Sequence, residues 1–319
     1  MALIAIAADK GSPGVTTAAL ALGAVWPRPV LLAECDPAGG DLVYRYPAPN
    51  GEGLDPRRGL LSLAVAARRG LQPHQVWEHA QKLNGGLDVL TGVTNAEQGA
   101  GLNPLWGQVG RVLAGVPQAD VIADCGRIGT DGPHYDLLEA ASVLLLLTRP
   151  AMGEVIRLRD RVNAVVTAFD RRGRRACPIA VAVIADQRHI RRALGEVGHV
   201  IAQGGLSGAQ LIGAIADDPG AAAQLGEGAV GRLGKSPLIR TAQDIAGQLA
   251  AVLPPLPITQ AETPQPGQQQ WAGPSTPPPG LQGQAPQASP SAQPAVPDAP
   301  RPGRHATSPG QGSVISGRP

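Results

Sequence analysis

The feature that most restricts the fold of this chain is the alternation, over residues 1 to about 253, of short apolar runs with longer amphipathic segments. The runs are four to seven residues long and apolar on both faces, as expected for buried parallel strands. They begin at Leu3, Val30, Leu87, Asp120, Ser142, Ile179 and Leu211. Candidate helices lie between them, over residues 16–25, 59–69, 104–114, 153–170 and 237–253. This order predicts an α/β fold: a doubly wound, mostly parallel sheet with helices on both faces.

The composition changes at about Pro254, which divides the chain into a domain over residues 1–253 and a tail over residues 254–319. Of the chain's 32 prolines, 17 fall in these last 66 residues, among Gln, Gly, Ser and Ala. Such a segment buries too little apolar surface to offset its conformational entropy, so we expect it to be disordered. It is either a spacer or, through motifs such as TPPPG, a docking site for a partner that binds polyproline.

Charge and composition exclude several classes of protein. The formal net charge is only +2 and aromatic residues make up 3% of the chain, which excludes a protein that binds single strands by base stacking. The three cysteines form no CxxC pair, so neither a disulfide framework nor a zinc site is indicated. The N-terminal apolar run lacks a preceding basic region and is interpreted as a strand, and no run reaches the roughly 18 residues that span a bilayer. We therefore expect a cytoplasmic protein without direct membrane insertion.

A glycine-bearing loop follows the first predicted strand and leads directly into a helix. Such a loop presents backbone N–H groups and the positive end of the helix dipole to an anion, typically a phosphate. The spacing of the phosphate-loop pattern GxxxxGK[ST] is kept as far as Gly14, but Val15 occupies the lysine position. The hydroxyl of Thr16 is then placed to meet a magnesium ion. The predicted nucleotide-binding residues of this loop are Gly11, Ser12, Pro13, Gly14, Val15, Thr16 and Thr17.

Acidic residues end two of the predicted strands. The run at Val30 continues as LLAECDP, with Glu34 and Asp36, and the run at Asp120 reads DVIADC and reaches Asp124. Ligands of an open parallel sheet bind beyond the carboxyl ends of its strands, so these carboxylates are candidate magnesium ligands beside the phosphate loop.

Together these motifs resemble the ParA/MinD family of P-loop ATPases. The loop is similar to that family's deviant Walker A motif, KGGxGKTT, with Lys10 at the signature lysine and Val15 at the second one. The segment at Glu34 resembles the family's DxDP motif, and the segment at Asp120 resembles Walker B. LLLTRP at Leu145 and IGAIADDP at Ile212 resemble the later TxP and GxIPxD segments. The resemblance covers residues 1–251 in the family's order.

The resemblance implies a site for ATP and Mg²⁺. Lys10 would act in trans on the phosphates of a partner subunit, Asp36 would position the attacking water, and Thr16, Asp36 and Asp124 would hold the metal. Asp186 stands where the family has an asparagine that contacts the base, and Asp217 lies in the segment that closes over the adenine. The loss of the lysine charge at Val15 predicts weakened binding, by about 1.5 to 3 kcal/mol, and weak or lost hydrolysis.

The function that the resemblance implies is a dimeric, nucleotide-dependent switch that positions cargo, such as DNA or a secretion, pilus or division assembly. The alternative is a pseudo-ATPase scaffold that no longer binds nucleotide and recruits partners through its tail. A metabolic enzyme of the same superfamily is less favoured, because no cluster-binding cysteine pair is present. Expected partners are a second copy, a cargo adaptor and, unless the basic region is only a solvated surface, nonspecific DNA. That region contains Arg171, Arg172, Arg174, Arg175, Arg188, Arg191 and Arg192.

Overall fold

The structure, a computed structural model, describes residues 1–10, 14–129, 132, 134–203, 208–225 and 234–255. The chain divides into two units, Met1–Ala261 and Glu262–Pro319. All described residues belong to the first unit. The predicted tail therefore lies outside the described residues, apart from Pro254 and Pro255.

Eight strands form a single sheet in the order β3-β4-β2-β5-β1-β6-β7-β8. Every neighbouring pair is parallel except β3 with β4, which is antiparallel at one edge. The strands are β1 Leu3–Ala8, β2 Val30–Glu34, β3 Gln81–Lys82, β4 Asp88–Leu90, β5 Asp120–Arg127, β6 Val143–Thr148, β7 Ile179–Ala185 and β8 Ala209–Ala216. The seven predicted apolar runs correspond to the seven strands other than β3, so the predicted fold class is confirmed.

The five predicted helices are present with ends that differ by no more than two residues, and the described residues contain six further α-helices that were not predicted. None of the helices among the described residues is long and apolar enough to cross a membrane. The helices are α1 Val15–Val25, α2 Leu42–Arg45, α3 Leu60–Ala67, α4 Val76–His79, α5 Ala96–Gly101, α6 Trp106–Ala114, α7 His134–Leu138, α8 Met152–Arg171, α9 Ile190–Gln203, α10 Pro219–Leu225 and α11 Pro237–Val252.

Helices cover both faces of the sheet, because successive strand residues point to opposite sides. On one face, Leu3, Ala5 and Ala7 of β1 pack with apolar residues of α3, α6, α7 and α8. On the other face, Ile4 and Ile6 pack with residues of α1, α10 and α11. Both faces of β1 are therefore buried, which explains why its sequence is apolar throughout rather than alternating.

Candidate functional site

The N-terminus of α1 begins directly after Gly14 and is suited to bind an anion. Gly14 precedes α1 with φ at +92°, in the left-handed region that favours glycine, and supplies no side-chain cap. The first N–H groups of the helix and the positive end of its dipole therefore face the loop. The predicted loop residues Gly11, Ser12 and Pro13 lie outside the described residues.

Val15 points away from the loop. Its side chain is only 5% exposed and packs in the apolar core between α1 and the sheet, together with Ala18 and Ala19. The position that carries a lysine in the related pattern is therefore a core position here.

Asp124, in β5, lies directly beside the N-terminus of α1. Its Oδ1 accepts a hydrogen bond of 3.0 Å from the N–H of Gly126, and the nearby side chain of Thr16 also lowers its pKa. Asp124 is 2% exposed, and burial raises its pKa to about 6, with a smaller contribution from the negative charge of Asp36. The structure thus brings together the two motifs predicted to hold magnesium.

Asp36 reaches the same place from the loop that follows β2. Its Oδ1 accepts the N–H of Ala38 at 2.8 Å. Burial raises the pKa of Asp36, while that N–H and the charge of Arg127 oppose the shift. Gly126 has φ at +57°, and a Cβ at this residue would lie 1.9 Å from Oδ2 of Asp36. Only glycine at the end of β5 lets this carboxylate lie across the strand.

Glu34 is the last residue of β2, and its carboxylate accepts hydrogen bonds from the surrounding loops. Its Oε1 accepts the N–H groups of Asp41 and Leu42 at 2.9 and 3.2 Å, and its Oε2 accepts the N–H of Gly92 at 2.7 Å. Burial raises its pKa to about 7 in spite of these three hydrogen bonds. Sequence reasoning placed Glu34 in an acidic motif but missed this role, for which the paired glycines after Asp36 were the available signal.

These residues surround a polar cavity of about 270 Å³. Its lining includes Thr16, Glu34, Asp36, Asp41, Arg45 and Asp124. Among the described residues, no group of three or more His, Cys, Asp or Glu side chains is arranged to hold a metal by itself. The donor set nevertheless fits Mg²⁺, which is usually held by one or two carboxylates, phosphate oxygens and several waters. Thr16, Asp36 and Asp124 supply the oxygen atoms that such an ion needs.

A second cavity, of about 200 Å³, adjoins the N-terminus of α1 on its other side. It is lined by Gly14, Thr17 and Asp217, the last of which belongs to the segment predicted to close over the adenine. Asp217 forms an ion pair with Arg149, at 2.7 Å between Oδ2 and Nη1. Arg149 was not predicted as a site residue, although the TxP resemblance marked the turn that carries it.

Asp186 does not share that cavity. It lines a neighbouring one of about 530 Å³, which also includes Arg149 and Asp217 in its wall. Its Oδ1 accepts the N–H of Arg188 at 2.8 Å. The ion pair between Arg149 and Asp217 therefore borders both cavities, and Asp186 lies on the far side of it from Thr17.

Lys10 is exposed at the carboxyl end of β1, outside the cavity that Asp36 and Asp124 line. The preceding residue is anchored: Oδ1 of Asp9 lies 2.6 Å from Nε of Arg161 in α8, and both side chains are largely buried. The position of Lys10 beside the loop thus rests on an ion pair to a helix that the sequence did not connect with the site.

The seven arginines proposed as a basic region do not form one patch. Arg171 to Arg175 precede β7, whereas Arg188, Arg191 and Arg192 follow it. β7 has seven residues, so the two groups are separated by about 20 Å along the strand. Three arginines are also paired with acidic residues: Arg172 with Asp136 and Glu139, Arg174 with Glu139, and Arg192 with Glu196.

Comparison with known proteins gives the fold. No protein-family model matches the sequence, and no curated protein matches it. Among solved structures, a ParA family ATPase from Chlorobium tepidum is 18% identical, with a TM-score of 0.59 over 77% of this chain and 98% of its own. An ATP complex of McdA from Cyanothece is 15% identical, with a TM-score of 0.59 over 81% and 99%.

MinD from Pyrococcus horikoshii, complexed with Mg-ADP, is 17% identical, with a TM-score of 0.54 over 78% of this chain and 95% of its own. Identities this low establish the fold alone. The chain has the fold of the ParA/MinD-family ATPases.

Proposed function

We propose that this chain is a cytoplasmic, nucleotide-binding switch of the ParA/MinD type that dimerises on ATP and positions cargo. The observation that carries the proposal is that Thr16, Asp36 and Asp124 line one polar cavity beside the N-terminus of α1. The solved structures of similar fold include complexes with ATP and with Mg-ADP, which supports the same ligands here.

Each residue of the site has a defined task in this proposal. The N–H groups at the start of α1 bind phosphate oxygens, and Thr16, Asp36 and Asp124 hold Mg²⁺. When bound, the metal neutralises charge on the phosphates. Thr17 and Asp217 line the cavity proposed for the nucleoside, and Asp186 lies beyond it.

Hydrolysis is proposed to be weak, because the position of the usual cis lysine holds Val15. The apolar side chain of Val15 is buried in the core and offers no charge to the phosphates. Lys10 is exposed and available to a partner subunit, so it would supply the missing charge in trans. In such a switch the nucleotide bridges two subunits and shifts the population toward the dimer. Catalysis then acts as a timer.

The experiment is sedimentation velocity of the full chain with Mg-ATP, with Mg-ADP and without nucleotide. We expect a dimer only with Mg-ATP, lost in Lys10→Ala and kept in the matched control Lys235→Ala, which removes another exposed lysine. An oligomeric state that does not respond to ATP would contradict the switch.

The second candidate function is a scaffold that has lost nucleotide binding and recruits partners through residues 254–319. The burial of Val15 favours it, because the site lacks its usual cis cation. The two candidates differ in one observable, since the scaffold binds no Mg-ATP at millimolar concentration.

The cargo is proposed to be a protein assembly or DNA. DNA binding through the seven arginines would have to use two separate surfaces, one at each end of β7. Of the two groups, Arg188, Arg191 and Arg192 lie at the carboxyl end of the sheet, where the nucleotide site is also located.

A further inference from the structure

A cavity of about 340 Å³ lies at the opposite end of the domain from the candidate nucleotide site. It is bounded by the end of α1, the start of β2 and the turn between β3 and β4. We call it the tryptophan groove and define it by Trp26, Arg28, Trp77, Leu83, Gly86 and Leu87. Because α1 begins and β2 ends at the nucleotide site, the groove lies at the far end of both elements.

Two of the chain's four tryptophans line this groove, in a protein with few aromatic residues. Trp26 is held in place by a hydrogen bond of 2.9 Å from its Nε1 to Oδ2 of Asp120, a fully buried carboxylate. Trp77 is half-buried. Tryptophan side chains flanked by leucines form the kind of surface that binds proline-rich, extended segments.

The end of the described chain is fastened to the edge of the groove. Nη1 of Arg28 donates a hydrogen bond of 2.8 Å to the carbonyl oxygen of Pro254. Nη2 of the same arginine lies 2.7 Å from Oδ2 of Asp120, the carboxylate that also orients Trp26. Pro254 and Pro255, the last of the described residues, therefore lie directly beside the groove.

The sequence around Pro255 suits the groove. It reads LPPLPITQ from Leu253 and places Leu256, Pro257 and Ile258 within three residues of Pro255. Six residues in the polyproline II conformation span about 19 Å, at roughly 3.1 Å per residue. The groove's volume is within the range of about 300 to 1,000 Å³ that is usual for sites that enclose a small ligand.

The matched structures do not cover the whole of this chain. The ParA family ATPase matches over 98% of its own length but over only 77% of this chain, and the McdA complex over 99% and 81%. Part of this chain therefore has no counterpart in those structures.

We propose that residues 256–261 fold back and occupy the tryptophan groove of their own chain. Leu256 and Ile258 contact the indole faces of Trp26 and Trp77, and Pro257 limits the segment to extended conformations. The two alternative occupants of the groove are the same segment of a second copy and a proline-rich segment of another protein.

The test uses the full chain with ¹³C-labelled isoleucine δ1 methyl groups, observed by NMR. A methyl group packed on an indole face is shifted upfield by the ring current, so we expect the Ile258 signal upfield of random coil. Ile315, in the same tail, is the internal reference and should remain at the random-coil position. Assignment uses Ile258→Val and Ile315→Val.

In Trp77→Ala, we expect the Ile258 signal to move to the position of the Ile315 signal. The control Val65→Ala, which shortens a half-exposed apolar side chain on α3, should leave it unchanged. If Trp77→Ala does not fold, Leu256→Ser serves instead, since it weakens docking from the side of the tail.

Three results would overturn the proposal. The first is coincidence of the Ile258 and Ile315 signals in the unmodified chain. The second is an upfield shift that disappears on dilution, which would assign the segment to the groove of a second copy. The third is an upfield shift that neither Trp77→Ala nor Leu256→Ser changes, which would place Ile258 on another surface.

Discussion

Burial controls the charge of the acidic side chains at the candidate site. Asp124 and Glu34 are each 2% exposed, and burial raises their pKa values to about 6 and about 7. Both carboxylates therefore cost free energy when ionised in the folded protein. A bound cation would offset that cost. A Mg²⁺ site is therefore compatible with two buried carboxylates that destabilise the fold when no metal is bound.

The first prediction concerns Asp124→Asn. Because the folded-state pKa of Asp124 is raised, its ionisation destabilises the fold at pH values above about 6. Asparagine removes the charge, so without metal at pH 7.5 we expect the free energy of unfolding to be unchanged or higher, by up to about 3 kcal/mol. Affinity for Mg-ATP should fall at least about tenfold. Urea denaturation measures the free energy of unfolding, and calorimetric titration measures the affinity for Mg-ATP. A variant that is clearly less stable and yet binds Mg-ATP normally would contradict both expectations.

The second prediction concerns pH and His134, which is 3% exposed. Burial lowers its pKa to about 4, against a smaller opposing effect of the Cys125 backbone. The unfolded chain therefore binds more protons than the folded one between pH 4 and about 6.5, so stability falls as the pH is lowered through this range. The loss attributable to His134 is up to about 3 kcal/mol.

The measurement is urea denaturation at several pH values for the unmodified chain and for His134→Phe. The variant should lose less stability than the unmodified chain between pH 6.5 and pH 4. Parallel pH profiles would show that His134 is not the titrating group.

At the scale of elements, the buried Glu34 carboxylate ties the loop after β2 to the loop after β4. Gly40 and Gly92 leave room for it: a Cβ on Gly40 would lie 1.9 Å from its carboxyl carbon, and one on Gly92 would lie 3.0 Å from Oε2. The loop that lines the polar cavity is thus held by a carboxylate that accepts only backbone hydrogen bonds in the described residues.

The third prediction follows from that packing. Gly40→Ala places a methyl group into Glu34, so we expect a loss of about 1 to 3 kcal/mol in the free energy of unfolding. Gly53→Ala is the matched control, because no atom lies within 4 Å of a Cβ built there. Equal stabilities of the two variants in urea denaturation would show that the contact between Gly40 and Glu34 is not rigid.

Apolar patterns in the sequence predicted some strands and helices of the fold and missed others. Apolar runs identified seven strands, because strands buried on both faces are apolar throughout. The edge strand β3 was missed since it consists of Gln81 and Lys82, which carry no apolar pattern. Helix α9 was missed although Ile190, Ala193, Leu194, Val197 and Ile201 recur at helical spacing and pack against a small core cluster.

At the scale of the whole molecule, the parallel sheet accounts for the part of the site that was predictable. Thr16, Asp36 and Asp124 are far apart in sequence, but Thr16 and Asp36 follow β1 and β2 and Asp124 lies in the carboxyl-terminal half of β5. The carboxyl ends of these parallel strands lie on the same side of the sheet, so motif order was sufficient to group the three residues. The three hydrogen bonds of Glu34 and the ion pair between Arg149 and Asp217 were not predictable, because they depend on how separate loops pack. Asp186 followed the right strand but lines a neighbouring cavity.

The fourth prediction concerns the boundary between the domain and the tail. The composition change at about Pro254 predicts that proteolysis of the full chain leaves a resistant fragment that ends after Pro255. If residues 256–261 occupy the tryptophan groove, the earliest cuts should fall beyond Ala261. Limited digestion followed by mass spectrometry gives the fragment ends, and early cuts inside α11 or the sheet would contradict the boundary.

The most direct test of the central claim, that the chain binds ATP with Mg²⁺ at the N-terminus of α1, is calorimetric titration of the full chain with Mg-ATP. We expect binding with a Kd in the micromolar range, about −6 to −8 kcal/mol. Binding should depend on Mg²⁺ and weaken in Asp124→Asn. No binding at millimolar Mg-ATP by the folded chain would contradict the proposed nucleotide site and leave the scaffold as the function that fits this fold.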